Sequence, residues 1–144
     1  MRWVRVFIFV ISASLPVMPN ERPCTIEQAK RADAAVDSLS SWDKVHSWYA
    51  RYRQCDDGGP GEGVSEGIAR NLVDRCRTLP RLAELTRNEP GFRRFILKHV
   101  DATLNGDDLR KIDTNATSGC PAGLHSFCKT LSLQSQAALK EQSQ

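Results

Sequence analysis

The sequence predicts an all-α domain of about five to six helices, held together by disulfides and preceded by a signal peptide. Three observations carry this. Helix formers dominate the 144 residues and β-branched runs are scarce, which argues against a sandwich or barrel. Apolar residues recur at three- and four-residue spacing between turn signals. Five cysteines follow an N-terminal segment built like an export signal. The length suits one compact domain.

The first elements are Met1-Arg2-Trp3-Val4-Arg5, with two positive charges, and an apolar run from Val6 to Leu15 broken by Ser12 and Ser14. This is a charged n-region and a short h-region, below the roughly 20 residues a membrane span needs. Residues 1–20 are therefore expected to be a signal peptide and 24–134 the helical domain, with 135–144 a polar tail that frays. No Leu-x-x-Cys motif precedes Cys24, so the membrane is met only through the export signal and the mature chain is periplasmic or secreted. The formal charge is +3 from 20 Lys and Arg against 17 Asp and Glu. Without residues 1–23, which hold Arg2, Arg5, Arg22 and Glu21, it falls to 17 against 16, or +1. Such a domain has no electrostatic case for nucleic acid.

Beyond residue 20 only 24 of 124 residues are Leu, Ile, Val or Phe, near the level at which burial alone struggles to hold a fold. Disulfides would make up the difference. Thr25-Ile26-Glu27-Gln28 has the form of a capping box, and Ile26, Ala29, Ala32, Ala35/Val36 and Leu39 follow as the inner stripe of a first helix. Ser40 or Ser41 caps a second, with Trp42, Val45, Trp48/Tyr49 and Tyr52 inside. Asp56-Asp57-Gly58-Gly59-Pro60-Gly61 reads as a break. A third helix then stacks Val64, Ile68, Leu72 and Cys76, and Pro80 ends it before a short helix through Leu82 and Leu85. Asn88 caps the next, with Pro90 in its first turn and Phe92, Phe95, Ile96, His99, Val100 and Thr103 on its buried face. Asn105-Gly106 ends that helix, Asp107 starts a short one through Leu109 and Ile112, and Cys120-Pro121 opens the last.

Five cysteines with one left over allow fifteen arrangements. Cys24 begins the first helix and Cys55 ends the second, and an antiparallel hairpin of equal arms brings those ends together. Cys120 and Cys128 would be about 12 Å apart if wholly helical, too far to bridge. Pro121 and Gly123 allow a turn that closes the gap. Cys76 is then unpaired on an apolar stripe, a small buried hydrophobe in preference to a nucleophile.

Gly58 through Ser65 mimics a phosphate-binding loop but has Val64 where the lysine belongs, and a helix precedes it instead of a strand. Asp56, Asp57, Glu62 and Glu66 are the densest acidic group. The bland reading is a solvated turn and helix cap, with Glu62 and Glu66 near a helix N-terminus where the dipole favours them; the functional reading is a partner-binding loop, and the ligand spacing of an EF-hand is lacking. An envelope enzyme or a calcium-binding module centred on the same residues is the rival reading. His46, His99 and His125 read as core or boundary histidines; without His-Glu-x-x-His or Cys-x-x-Cys, no metal or cofactor is expected. The aromatics at 42, 48, 49 and 52 read as core, with Trp48 or Tyr52 as an outward anchor the alternative. Asn115-Ala116-Thr117 matches a glycosylation sequon.

Cys24-Thr25-Ile26-Glu27-Gln28-Ala29, Cys55-Asp56-Asp57-Gly58, Glu62-Gly63-Val64-Ser65, Cys120-Pro121 through Cys128, and the stretch from Phe92 to Thr103 resemble small exported proteobacterial proteins over residues 24–131. That group is more distantly similar to the all-helical periplasmic immunity proteins of type VI secretion amidase-effector systems. The chain departs from its relatives at Cys76, where they carry tryptophan. The resemblance implies a non-enzymatic domain that binds a protein partner, a cell-wall hydrolase effector, and blocks a peptidoglycan amidase.

Overall fold

The computed structural model describes residues 23–144; the expected signal peptide at 1–20 lies outside them. The described residues form an all-α domain of seven α-helices with no strand. These are α1 (Ile26–Val36), α2 (Trp42–Tyr52), α3 (Gly58–Asp74), α4 (Leu79–Asn88), α5 (Pro90–Lys98), α6 (Gly106–Ser118) and α7 (His125–Gln142), with 3₁₀ turns at Arg53–Cys55 and Cys76–Thr78. None of them is long and apolar enough to cross a membrane.

Helix α1 starts from a complete capping box, the Thr25 hydroxyl accepting from the Gln28 N–H and the Gln28 side chain accepting from the Thr25 N–H. Its stripe is narrower than the spacing implies. Ala32 is fully buried, whereas Ile26 stands 80% exposed on the opening turn. Ser41 caps α2, whose Trp42, Val45, Trp48 and Tyr49 enter the core. Each such side chain contributes about 1.5–3 kcal/mol of burial. The Trp48 indole donates to the Ala32 carbonyl at 3.0 Å, tying α2 to α1 and ruling out Trp48 as an outward anchor. Tyr52 is half-buried.

The antiparallel α1–α2 pair brings Cys24 and Cys55 into a disulfide, with Cα atoms 5.0 Å apart. Cys120 and Cys128 form the second bridge at 6.0 Å, across a turn with Gly123 at φ +80°. Cys76 is free. It sits half-buried in a 3₁₀ turn and off the stripe of α3, because α3 ends at Asp74.

The glycine-rich stretch is helix where a break was expected. Asp57 caps it, Gly58 turns the chain into it at φ +53°, and Gly59, Pro60, Gly61 and Gly63 all lie within α3. The small residues have a packing reason. Gly63 meets Val36 and Gly67 meets Leu39 so closely that a β-carbon at either would clash, so α3 lies hard against α1 and the connection that follows it. Asn71, fully buried, donates to the carbonyls of Leu39 and Gly67 at 2.8 Å and fixes the same contact.

Downstream boundaries also shift. Asn88 is the last residue of α4, and Glu89 stands at the cap of α5 with its carboxylate turned to His46 Nε2 at 2.7 Å instead of to the backbone. Helix α5 stops at Lys98, leaving His99 and Val100 buried beyond its end and Thr103 exposed in the loop. Asn105 begins α6 where it was expected to end α5: its side chain accepts from the Asp107 N–H, and Asp107 and Asp108 complement the helix dipole. Asn115 is engaged in the folded domain. Its amide donates to the carbonyls of Leu72 and Val73 at 2.9 and 3.0 Å, docking α6 on the end of α3.

Helices α6 and α7 are the most extensively packed pair. The expected polar tail is the second half of α7, with Ser135 and Ala138 buried. Its polarity disguised this. Ser135 turns its hydroxyl back onto the Leu131 carbonyl, and Gln142 donates to the carbonyls of Ala102 and Leu104 at 2.9 and 2.7 Å. A polar side chain that serves backbone acceptors is as much part of the fold as an apolar one.

Candidate functional site

An open groove of about 820 Å³ runs between the N-terminal half of α3 and the loop that leads from α5 into α6. One wall presents Asp57, Glu62, Glu66 and Arg70 from α3 and its cap; the other presents Asp101, Thr103, Asn105 and Asp108. Asp56, Ser65, Lys98 and His99 also line it.

The walls are joined by a buried polar tie. The Asp56 side chain is 7% exposed and places Oδ2 2.7 Å from Lys98 Nζ and Oδ1 3.1 Å from His99 Nε2. The second contact is short but poorly aligned for a hydrogen bond. His99 Nδ1 lies 2.7 Å from Ser65 Oγ, which is also 3.1 Å from the carbonyl of Gly61. Phe95 packs edge-on against the imidazole at 4.6 Å. Burial raises the Asp56 pKa, but His99 and Lys98 together more than offset it and hold the carboxyl below the ordinary aspartate value. The far end of the loop is held from α7, where Gln134 donates to the Val100 carbonyl and Gln142 to Ala102 and Leu104. The groove is thus braced at both ends before anything enters it.

The four acidic residues singled out in the sequence divide by role. Asp56 is buried in the tie and cannot face a partner. Asp57 spends one oxygen on the Gly58 N–H as the cap of α3. Glu62 and Glu66 are exposed one turn apart, Glu66 near Arg70 at 3.7 Å. Asp101 and Asp108, distant in sequence, complete the acidic rim. No sequence signal joined them to the 57–66 stretch, because only the loop after α5 brings them across. Among the described residues, no group of three or more His, Cys, Asp or Glu side chains converges on a point where a metal ion could sit.

Ser65, His99 and Asp56 stand in the order of an acyl-transfer triad, but the setting is that of a brace. Ser65 lies two turns inside α3, where backbone N–H groups are consumed by helical hydrogen bonds and no donor pair flanks the hydroxyl. His46 pairs with Glu89 and meets the Phe92 ring at 4.9 Å, while His125 is exposed at the start of α7; neither approaches the groove. Comparison with family models, with curated proteins and with solved structures found no match.

Proposed function

We propose that this chain is a non-enzymatic protein-binding domain of the periplasm that holds its partner in the acidic groove. Two disulfides support an oxidising, extracytoplasmic compartment for the folded domain. The observation that carries the binding reading is the contrast between rim and base. Asp57, Glu62, Glu66, Asp101 and Asp108 line the groove against only Arg70 and Lys98, and both cations already have carboxylate partners. A predominantly acidic rim over a braced base favours a basic partner surface: it speeds encounter and lowers the ordering cost of association.

The partner class follows from the sequence resemblance to amidase-immunity proteins, a cell-wall hydrolase whose basic groove or loop the rim would engage. The test takes cell-wall amidases encoded beside this chain's gene and measures calorimetric binding and peptidoglycan cleavage with and without the domain. Binding and inhibition are expected, with affinity falling at least about tenfold in Glu62→Gln/Asp108→Asn and with added salt. Unimpaired cleavage with no complex, or a complex indifferent to both substitutions, overturns the reading.

A further inference from the structure

We propose that the Cys24–Cys55 bridge is an oxidation-dependent switch for the groove: forming it seats Asp56 against Lys98 and His99, and without it the wall loses its brace at the Lys98–His99 end and is held only from α7. The biological purpose rests on the partner-binding reading above; the structural coupling does not.

Four observations form the chain. Cys55 is 3% exposed, and the bridge anchors it to the start of α1. Asp56 is the next residue and leaves the 3₁₀ turn with its N–H bonded to the Arg53 carbonyl, so the direction of its side chain follows the placement of Cys55. That side chain carries both contacts to Lys98 and His99, the last residue of α5 and the first beyond it. The second bridge lies elsewhere, tying Cys120 in the turn before α7 to Cys128 within the first turns of α7, and neither cysteine lines the groove. The two disulfides therefore have separable duties, and only the first governs the site.

In the reduced chain the thiols of Cys24 and Cys55 are free. Oxidation removes two electrons and two protons from them, and a disulfide-bearing oxidant, small molecule or protein, takes these up and ends as two thiols. Before export the groove is incomplete, and a partner present in the reducing compartment meets a loose wall. Afterwards the wall is locked and the rim carboxylates stand at fixed separation.

Amide hydrogen exchange of the oxidised protein tests this, with C24S/C55S, C120S/C128S and Asp56→Asn variants. Exchange at 98–104 is expected to rise about tenfold or more in C24S/C55S and in Asp56→Asn, while those amides of α6 and α7 that exchange by local opening, without global unfolding, change less than about twofold. C120S/C128S should leave 98–104 within about twofold of the parent. Unchanged protection of 98–104 in either of the first two variants overturns the proposal. So does global unfolding of C24S/C55S, which would make the bridge a staple for the whole domain. Asp56→Asn keeps the bridge and decides its own link in the chain whatever the serine pair does. No partner enters the measurement, so failure of the amidase assay and failure of this switch are separate results.

Discussion

Gly63 of α3 lies so close to Val36 of α1 that a β-carbon on it would come within 2.6 Å of Val36 Cγ2. Gly59, one turn earlier, has room, its nearest neighbour being Asp33 Oδ1 at 3.4 Å. Gly63→Ala should therefore destabilise the domain by about 1–3 kcal/mol through overpacking. Gly59→Ala should stabilise it by about 0.5–1 kcal/mol by restricting the unfolded chain. Urea unfolding of the two single variants checks the opposite signs, and equal effects would mean that α1 and α3 are not in this contact.

Asp56→Asn should cost about 2 kcal/mol at neutral pH, since it removes a buried carboxylate charge beside the Lys98 ammonium and the His99 imidazole. The sign with pH follows from the depressed Asp56 pKa. A carboxyl whose folded pKa lies below its unfolded value of about 3.9 adds stability above that value and loses it as the pH falls through the folded pKa. The gap between parent and variant should be full near pH 7, narrow below about pH 4 and close in stronger acid. A gap independent of pH would remove Asp56 from the tie.

Iodoacetamide should modify one cysteine in the native oxidised protein, Cys76, which is free and half-buried in a turn. Peptide mapping without reduction should find Cys24, Cys55, Cys120 and Cys128 protected. Modification at any of those four would contradict the pairing.

Truncation after Gln134 should lower stability by roughly 3 kcal/mol, because buried Ser135 and Ala138 and the Gln142 hydrogen bonds go with it. Gln142→Ala alone should cost about 1 kcal/mol. Thermal unfolding of the two proteins separates a supporting helix from a frayed end, which would show no change.

Local signals were legible in the sequence and long-range polar ties were not. The capping box at Thr25 and Gln28, the aromatic stripe of α2 and the antiparallel geometry of the first bridge rest on neighbours in the chain or on simple helix arithmetic. The start of α3 is hidden because glycine at 59, 61 and 63 is costly in a helix, and the close approach of Val36 to Gly63 and of Leu39 to Gly67, which favours small residues there, joins segments distant in the sequence. Nothing near His99 points to Asp56, 43 residues earlier, and nothing in a run of serine and glutamine reveals that Gln134 and Gln142 serve carbonyls of the loop after α5. Three of the five rim carboxylates, Asp57, Glu62 and Glu66, are visible in the sequence as a cluster. Asp101 and Asp108 belong to it only through the turn of the chain.

The Asn115 amide bears on how the protein can be produced. A secretory pathway that attaches glycans does so on the emerging chain, before α6 has met α3, and would find Asn115-Ala116-Thr117 open. A sugar on Nδ2 would take one of the two hydrogens that go to Leu72 and Val73 and set a bulky polar group against that contact. Eukaryotic secretion should thus yield misassembled, retained material, while bacterial export of the same sequence folds. Replacing Thr117, whose hydroxyl bonds only within α6, would remove the acceptor signal and spare the joint.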